Sequence, residues 1–164
     1  MTGNKILIIY HDENIINKVI DYINSYSDLQ ISKKFNTSKE NINLDNYYIN
    51  QQDINLLVKN NSILYITTIN YVSSGVTLDD FYNNDVFILK YNEYNSIPDI
   101  FFKKYNILTV WIDSNDKNFQ IRKNDLLYYE LNFIENRLEN VPYLYFLNDD
   151  VEEIVKSMEN FMNE

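Results

Sequence analysis

Short apolar runs alternate with stretches of helical periodicity along most of the chain. Each apolar run predicts a buried strand, and the runs are Lys5 to Tyr10, Ser62 to Thr67, Asp85 to Lys90, Ile107 to Ile112 and Tyr143 to Leu147. Strands of this kind, separated by helices, are typical of βα units around a parallel sheet. The pattern therefore predicts an α/β protein with three layers, α/β/α, around a mainly parallel five-stranded sheet.

The segments between these runs repeat apolar residues at helical spacing. In the first segment the apolar residues from Ile15 to Ile23 fall on one face, and Asp12 is the predicted N-cap. Further helices are predicted at Gln51 to Lys59 after Asn50 as cap, from Thr77 to Asp80 onward, and at Ile97 to Tyr105, Gln120 to Leu138 and Val151 to Met162.

The segment from about Ser27 to Asn50 departs from this alternation. It is more polar, and it contains a small basic cluster at Lys33, Lys34 and Lys39. We expect a small β insertion on the rim of the sheet. Since the chain shows no linker and no internal repeat, residues 1–164 are expected to form a single domain.

Composition and charge exclude several classes of function. A net charge of -10 opposes binding to nucleic acid, whose phosphates are neutralised by lysine and arginine. With no cysteine, disulfides and thiolate metal sites are excluded. The absence of a long apolar run or a signal-peptide pattern predicts a cytoplasmic protein without a membrane span. The excess of Asn, Ile, Tyr and Lys is typical of an AT-rich genome, such as that of a low-GC bacterium, a phage or a large virus. If the source is a phage or a virus, the predicted location is the host cytoplasm.

The junction between the first strand and its helix contains no glycine. It reads Tyr10-His11-Asp12-Glu13-Asn14, and the only glycines in the chain are Gly3 and Gly75. A phosphate loop needs glycines so that its amides can surround the anion, and it needs a helix N-terminus without negative charge. We therefore expect no ATP cradle at this point.

The region between the basic cluster and Gly75 has a characteristic order of motifs. A basic stretch is followed by an acidic residue, an Asp and Tyr pair, a helix, a strand and a glycine turn. This order resembles the nucleoside monophosphate-binding region of the guanylate kinase family, which includes phage deoxynucleotide kinases. The resemblance implies a P-loop kinase fold, with this binding region at about 27–76, and nucleotide-binding positions at Lys34, Thr37, Glu40, Asp45, Tyr47 and Gly75.

Several positions depart from the pattern of that family. Lys34 and Thr37 stand where the family has two phosphate-binding arginines, which weakens bidentate capture of a phosphate. The tyrosine is displaced by one residue, so that Asn46 occupies its place and Tyr47 follows. Ser74 stands where the family has the tyrosine of its Tyr-Gly turn.

The same resemblance implies that two residues are remnants of catalytic positions of that family. Lys18 stands where the phosphate-loop lysine would be, and Arg122 belongs to a lid-like segment at about 113–125. In the resembling kinases such arginines hold the transferring phosphoryl group. The structural alternatives are a solvated helix lysine for Lys18 and a surface salt bridge, with Asp125 for instance, for Arg122.

A second hypothesis uses the carboxylates at the ends of the strands. Asp12, Glu13 and Asp113 are all expected at the carboxyl edge of the sheet, where they could hold Mg²⁺. The sequence from Ile6 to Ile16 also resembles the start of a response-regulator receiver domain. However, the strand that should end in a phospho-accepting Asp ends in Thr67-Thr68. Helix capping by Asp12 is the simpler explanation.

The function favoured by the sequence is a noncatalytic protein-binding module with a degenerate nucleotide-kinase-like fold. Some members of the resembling family are pseudokinase scaffolds, and exposed tyrosines favour protein contacts. No cofactor is then expected. The alternatives are an atypical nucleoside monophosphate-binding protein or kinase, which would require ATP and Mg²⁺, and a receiver-like signalling domain that binds Mg²⁺.

Overall fold

A computed structural model describes residues 3–10, 12–41, 45–113, 126–147 and 150–164. In chain order its strands are β1 (Lys5–Tyr10), β2 (Lys34–Asn36), β3 (Asn46–Tyr48), β4 (Ile63–Ile69), β5 (Val72–Thr77), β6 (Val86–Lys90), β7 (Ile107–Asp113) and β8 (Tyr143–Leu147). Its α-helices are α1 (Glu13–Tyr26), α2 (Gln51–Lys59), α3 (Leu78–Asn83), α4 (Tyr91–Asn95), α5 (Asp99–Lys104), α6 (Leu126–Leu138) and α7 (Val151–Met162). None of these described helices is long and apolar enough to cross a membrane.

The central sheet has four parallel strands in the order β6-β1-β7-β8. Every residue of β1 is buried, as expected for a strand covered on both faces. Helices α1 and α7 cover one face, where Ile16, Val19 and Val155 pack on the strands. The opposite face carries α3, α4 and α6. The predicted α/β class with a parallel sheet between helical layers is thus confirmed.

The predicted strand Ser62 to Thr67 exists, but it lies in a second sheet. That sheet has the order β3-β2-β5-β4, in which β4 and β5 form an antiparallel hairpin. The parallel sheet of the described residues therefore has four strands, where the sequence predicted five. An apolar run indicates burial, but it does not specify which other strand will supply the hydrogen bonds, since that choice is made over long sequence distances.

Side-chain caps begin several helices as predicted. The side chain of Asp12 accepts a hydrogen bond from the Asn14 amide at 2.9 Å, and Asn50 caps α2 through the Asp53 amide at 2.8 Å. Thr77 likewise accepts from the amide of Asp80 at 3.1 Å. These contacts satisfy amides that have no partner within the helix.

The segment between β6 and β7 holds two short helices rather than one. The sequence predicted a helix at Ile97 to Tyr105, which corresponds to α5, with Pro98 as its N-cap residue. Helix α4 was not predicted. Of the long helix predicted at Gln120 to Leu138, the described part is α6, and residues 120–125 lie outside the described residues.

Arg137 joins α6 to the two short helices. Its guanidinium donates to the carbonyl oxygens of Tyr94 at 2.8 Å and Ile97 at 2.9 Å, and it forms an ion pair with Asp99 at 3.0 Å. The side chain is only 7% exposed. Arg137 thus supplies donors to carbonyls at the end of α4, where the helix leaves them without partners.

Candidate functional site

A polar pocket lies between the two sheets, at the carboxyl edge of the parallel sheet. Its volume is about 200 Å³. Its lining comes from both sheets and from the start of α4, and consists of Lys34, Phe35, Asn36, Asn46, Thr67, Ile69, Ser74, Lys90, Asn92 and Glu93. This is the edge at which open α/β sheets bind ligands.

Glu93 is the charged centre of this pocket, although it is only 6% exposed. One carboxylate oxygen accepts from the Lys34 ammonium at 3.0 Å and from the backbone amide of Lys90 at 3.0 Å. The other accepts from the Tyr65 hydroxyl at 2.9 Å. Burial, reinforced by the Glu93 charge, raises the pKa of Tyr65 well above its usual value, so the phenol stays a donor. The buried carboxylate is therefore both charge-paired and hydrogen-bonded.

Lys34 lies on β2 with its side chain directed at Glu93. Its cross-strand neighbour on β3 is Asn46, which also lines the pocket, whereas Tyr47 is the neighbour of Phe35. Because successive side chains of a strand point to opposite faces, the one-residue displacement noted in the sequence puts Tyr47 on the other side of the sheet. There its hydroxyl donates to Asp80 at 2.6 Å.

Three other predicted positions lie away from the pocket centre. The Thr37 hydroxyl accepts from the Ser73 amide at 2.9 Å and so helps to hold β5. Glu40 is exposed in a short 3₁₀ turn. Asp45 is exposed and borders a separate groove between α1 and residues 31–33. Of the predicted set, the structure brings Lys34 into the pocket and leaves these three outside its lining.

Gly75 is required by a close approach of two strands. A Cβ at this position would collide with the Tyr65 carbonyl oxygen and with the ring of Phe35, at 2.8 Å. Its φ is not in the left-handed region. The close contact between the strands, and not a left-handed backbone conformation, therefore requires a glycine here.

The connection from β1 to α1 consists of His11, which lies outside the described residues, and Asp12. The Asp12 carboxylate caps the helix, and Glu13 occupies the first helical position. Glu13 lies 3.7 Å from the Lys90 ammonium and accepts a hydrogen bond from the Tyr10 hydroxyl at 3.4 Å. Burial, with Glu13 and Glu93 nearby, raises the pKa of Tyr10 above its usual value. The helix N-terminus therefore faces the chain's own carboxylates.

The remaining predicted residues are dispersed. Lys18 is exposed in the second turn of α1, about 7 Å along the axis from the helix start. Arg122 and residues 114–125 of the lid-like segment lie outside the described residues. Asp113 accepts a hydrogen bond from Tyr145 at 2.6 Å. In the described part of the chain, no three His, Cys, Asp or Glu side chains come together as a metal site, so Asp12, Glu13 and Asp113 do not form one there.

Sequence reasoning missed Glu93, Lys90 and Tyr65, which organise the pocket. Glu93 stands three residues after Lys90 in the sequence Lys-Tyr-Asn-Glu, which begins α4 after a buried strand. An acidic side chain three positions into a helix start is a capping-box feature, and it would have located the helix. It would not have revealed the contact with Lys34, which is 59 residues away.

A larger groove of about 540 Å³ lies at the opposite edge of the sheet, beside Arg137, Phe102 and Phe133. The buried cation in its lining is the Arg137 guanidinium, whose NH1 and NH2 groups already donate to main-chain carbonyls. The pocket at Lys34 and Glu93 is therefore the better candidate site.

Comparison with known proteins identifies the fold. No protein-family model and no curated protein sequence matches the chain. Among solved structures, the chain is similar to the guanylate kinase from Anaplasma phagocytophilum, with a TM-score of 0.54 and 14% sequence identity over 99% of this chain and 85% of that chain. The chain thus has a guanylate-kinase-like P-loop fold, as the resemblance implied. At this identity the likeness establishes the fold alone.

Proposed function

We propose that this chain is a catalytically degenerate nucleotide-kinase-like protein that serves as a noncatalytic protein-binding module. In this proposal it is cytoplasmic, requires no cofactor and belongs to a low-GC bacterium, a phage or a virus with an AT-rich genome. Its degeneracy concerns the two places where a P-loop kinase would bind phosphates.

The observation that carries the proposal is the Asp12 carboxylate at the N-terminus of α1. It accepts from the Asn14 amide at 2.9 Å, and Glu13 adds a second negative charge in the same turn. A phosphate at this helix end would have to bind the free amides of the first turn. It would there meet the negative charges of the Asp12 and Glu13 carboxylates. The residues present therefore do not fit the triphosphate of ATP with its Mg²⁺.

The pocket at Lys34 supports the same conclusion. Lys34 is the cation at a phosphate-binding position of the resembling family, and Glu93 neutralises it at 3.0 Å. Any phosphate would have to displace a buried carboxylate that has three donors, and it would leave those donors or that charge poorly paired. In this proposal, the chain's own acidic side chains take the place of a phosphate at both positions.

Exposed aromatic side chains support the protein-binding role. Tyr71 is 98% exposed, and further exposed tyrosines among the described residues include Tyr26, Tyr48, Tyr82 and Tyr129. Tyrosine contributes large contact area and a hydroxyl at low entropic cost, and it is enriched in interfaces.

Thermal shift with GMP, dGMP, dTMP and ATP, each with and without Mg²⁺, tests the proposal. We expect no change in Tm with any of them, because a bound ligand would stabilise the folded state. An ADP-release assay is expected to show no turnover. Turnover that Lys18→Ala abolishes, while the exposed helix residue change Lys59→Ala does not, would overturn the proposal.

An atypical monophosphate-binding protein is the second candidate, because the pocket does bring Lys34, Asn46 and Ser74 together. Its volume of about 200 Å³ is below the roughly 300 Å³ at which ligand pockets begin, so a nucleotide would have to open it. A Tm increase with a monophosphate that is lost in Lys34→Met would establish this function.

The receiver-like alternative receives less support from the fold. The receiver strand order is 2-1-3-4-5, all parallel. Here the strand that ends near Thr67 and Thr68 pairs antiparallel with β5 in the second sheet. An added phosphate mass after treatment with acetyl phosphate and Mg²⁺ would restore this alternative.

A further inference from the structure

We propose that β8 is a self-pairing edge, through which two copies of the chain associate by a two-fold antiparallel strand pair centred on Tyr145. The joined sheet would have eight strands. This inference goes beyond the proposed function and does not depend on it, because it uses neither the nucleotide pocket nor the junction at Asp12.

The two edges of the parallel sheet differ in how they are protected. At the β6 edge, Ile31 forms a parallel bridge with Val86, and the Ser32 amide donates to the Val86 carbonyl at 2.9 Å. At the β8 edge no strand of the described ranges pairs with the outer side. An apolar edge strand without a charged residue or a bulge is a template for another strand.

The side chains of β8 are unusually exposed for an apolar strand. Tyr143, Leu144, Tyr145 and Leu147 are between 36% and 53% exposed. The strand contains no charged residue and lies directly after Pro142. In a chain of net charge -10, β8 is thus an apolar element that remains open to solvent.

The phase of the main-chain hydrogen bonds determines which groups point outward. The Thr109 amide of β7 donates to the carbonyl of Pro142 at 3.2 Å, so the polar groups of residue 142 face the inside of the sheet. Since both main-chain groups of a strand residue point to the same side and alternate along the strand, those of Tyr143, Tyr145 and Leu147 face outward.

This phase suits a two-fold strand pair. With the axis at Tyr145, the two Tyr145 residues exchange both of their main-chain hydrogen bonds, and Tyr143 pairs with Leu147 of the other copy on each side. The three outward residues of each strand then make about six hydrogen bonds. Pro142, which has no amide hydrogen, lies at an inward-facing position and does not interrupt the series.

Charge opposes this pairing at low ionic strength, because each copy carries a net charge of -10. The nearest carboxylate on the neighbouring strand is that of Asp113, which accepts the Tyr145 hydroxyl at 2.6 Å. The β7 strands of two paired copies would be three strand spacings apart, about 14 Å. The Debye length is about 30 Å at 0.01 M salt and about 8 Å at physiological ionic strength, so the repulsion acts at low salt and is largely screened at physiological salt. Raising the salt between these two values should therefore strengthen the dimer.

The pairing closes at two copies. In the antiparallel pair the same edge of both copies forms the contact, which is therefore isologous and leaves no free β8 edge for a third copy. A head-to-tail contact would instead continue into a filament. A five-residue edge provides less area than the roughly 800 Å² per partner of a standard interface. The dimer should accordingly be weak and visible only in a concentration series.

Sedimentation equilibrium from about 1 μM to about 500 μM spans this weak range of affinities. We expect the average mass to rise from 19.7 kDa toward twice that value and to stop there. The dimer should strengthen between low and physiological salt. A constant mass of 19.7 kDa across the series, or growth beyond the dimer, would overturn the proposal.

Charge substitutions test the register. Tyr143→Lys with Leu147→Lys places like charges opposite each other twice, which should weaken the dimer about tenfold or more. Tyr143→Lys with Leu147→Glu places opposite charges at the same positions and should restore association to within about threefold of the unmodified chain. Equal weakening by both pairs would rule out this register.

Leu56→Lys on α2 is the matched control, because Leu56 is also an exposed apolar side chain and lies in another element. It should leave the association unchanged. Circular dichroism verifies that each variant is folded, and the two exposed positions on β8 make loss of the fold unexpected. A control variant that dissociates the dimer would move the interface away from β8.

Discussion

Replacing Arg137 should destabilise the protein far more than replacing a surface cation. The substitution Arg137→Met keeps much of the side-chain volume and removes every donor. Two hydrogen bonds from a charged donor to the carbonyls of Tyr94 and Ile97 are lost. Such bonds contribute about 1.5 to 3 kcal/mol each.

The ion pair, the ring contacts and the desolvation of the charge make smaller contributions to the change in the free energy of unfolding. The ion pair with Asp99 adds little, because that carboxylate is mostly exposed. The guanidinium lies 5.0 to 5.1 Å from the rings of Tyr94, Phe102 and Phe133, and a methionine would keep part of that packing. Removing a buried charge also returns some desolvation energy. We therefore expect a loss of about 2 to 4 kcal/mol in the free energy of unfolding.

Urea denaturation, monitored by the fluorescence of the single tryptophan Trp111 and by circular dichroism, measures this loss. Lys103→Met is the matched control, since Lys103 is an exposed cation in the same groove. It should change the free energy of unfolding by less than about 0.5 kcal/mol. If Arg137→Met costs no more than this control, the main-chain contacts of Arg137 contribute nothing measurable to stability.

Three further predictions concern backbone geometry and ionisation. Gly75→Ala should cost about 1 to 3 kcal/mol in urea denaturation, because the new methyl group meets the Tyr65 carbonyl, and an unchanged midpoint would contradict the close approach. Tyr71 has a φ of 67° in the two-residue turn between β4 and β5, so Tyr71→Gly should raise the stability by about 1 kcal/mol, whereas Tyr71→Ala, which keeps the Cβ, should not. Burial raises the pKa of Tyr91 to about 12 in the folded state, so its contribution is complete below pH 10, the unfolded value, and is lost as the pH rises to about 12. The fall of the urea midpoint between pH 9 and about pH 11.5 should accordingly be smaller in Tyr91→Phe than in the unmodified chain, and equal falls would refute the assigned burial.

The parts of the fold that could be predicted were those encoded locally. The strands at Lys5–Tyr10 and Ile107–Asp113 are continuous apolar runs, and the caps at Asp12, Asn50 and Thr77 depend on residues within three positions. For these elements the local pattern was sufficient. The prediction that the apolar run Tyr143 to Leu147 is a buried strand was wrong, because β8 lies at the edge of the sheet and most of its side chains are exposed.

The elements that were missed depend on distant partners. Strand β5, with the sequence Val-Ser-Ser-Gly-Val-Thr, has little apolar character and is a strand because β4 and β2 pair with it. The membership of β4 in the second sheet follows from the same hairpin. Glu93 looked like an ordinary helix residue, because its significance lies in Lys34 and Tyr65, which are 59 and 28 residues away. The sequence thus predicted the architecture and one residue of the pocket, and the contacts that define the pocket required the structure.

Glu93 also determines how the two sheets can move relative to each other. It belongs to the helical layer of the parallel sheet, yet it holds Lys34 of β2 and Tyr65 of β4 by side-chain bonds. Rotation of the second sheet as a hinged flap would have to break these bonds together, so the pocket should open as a rare cooperative event.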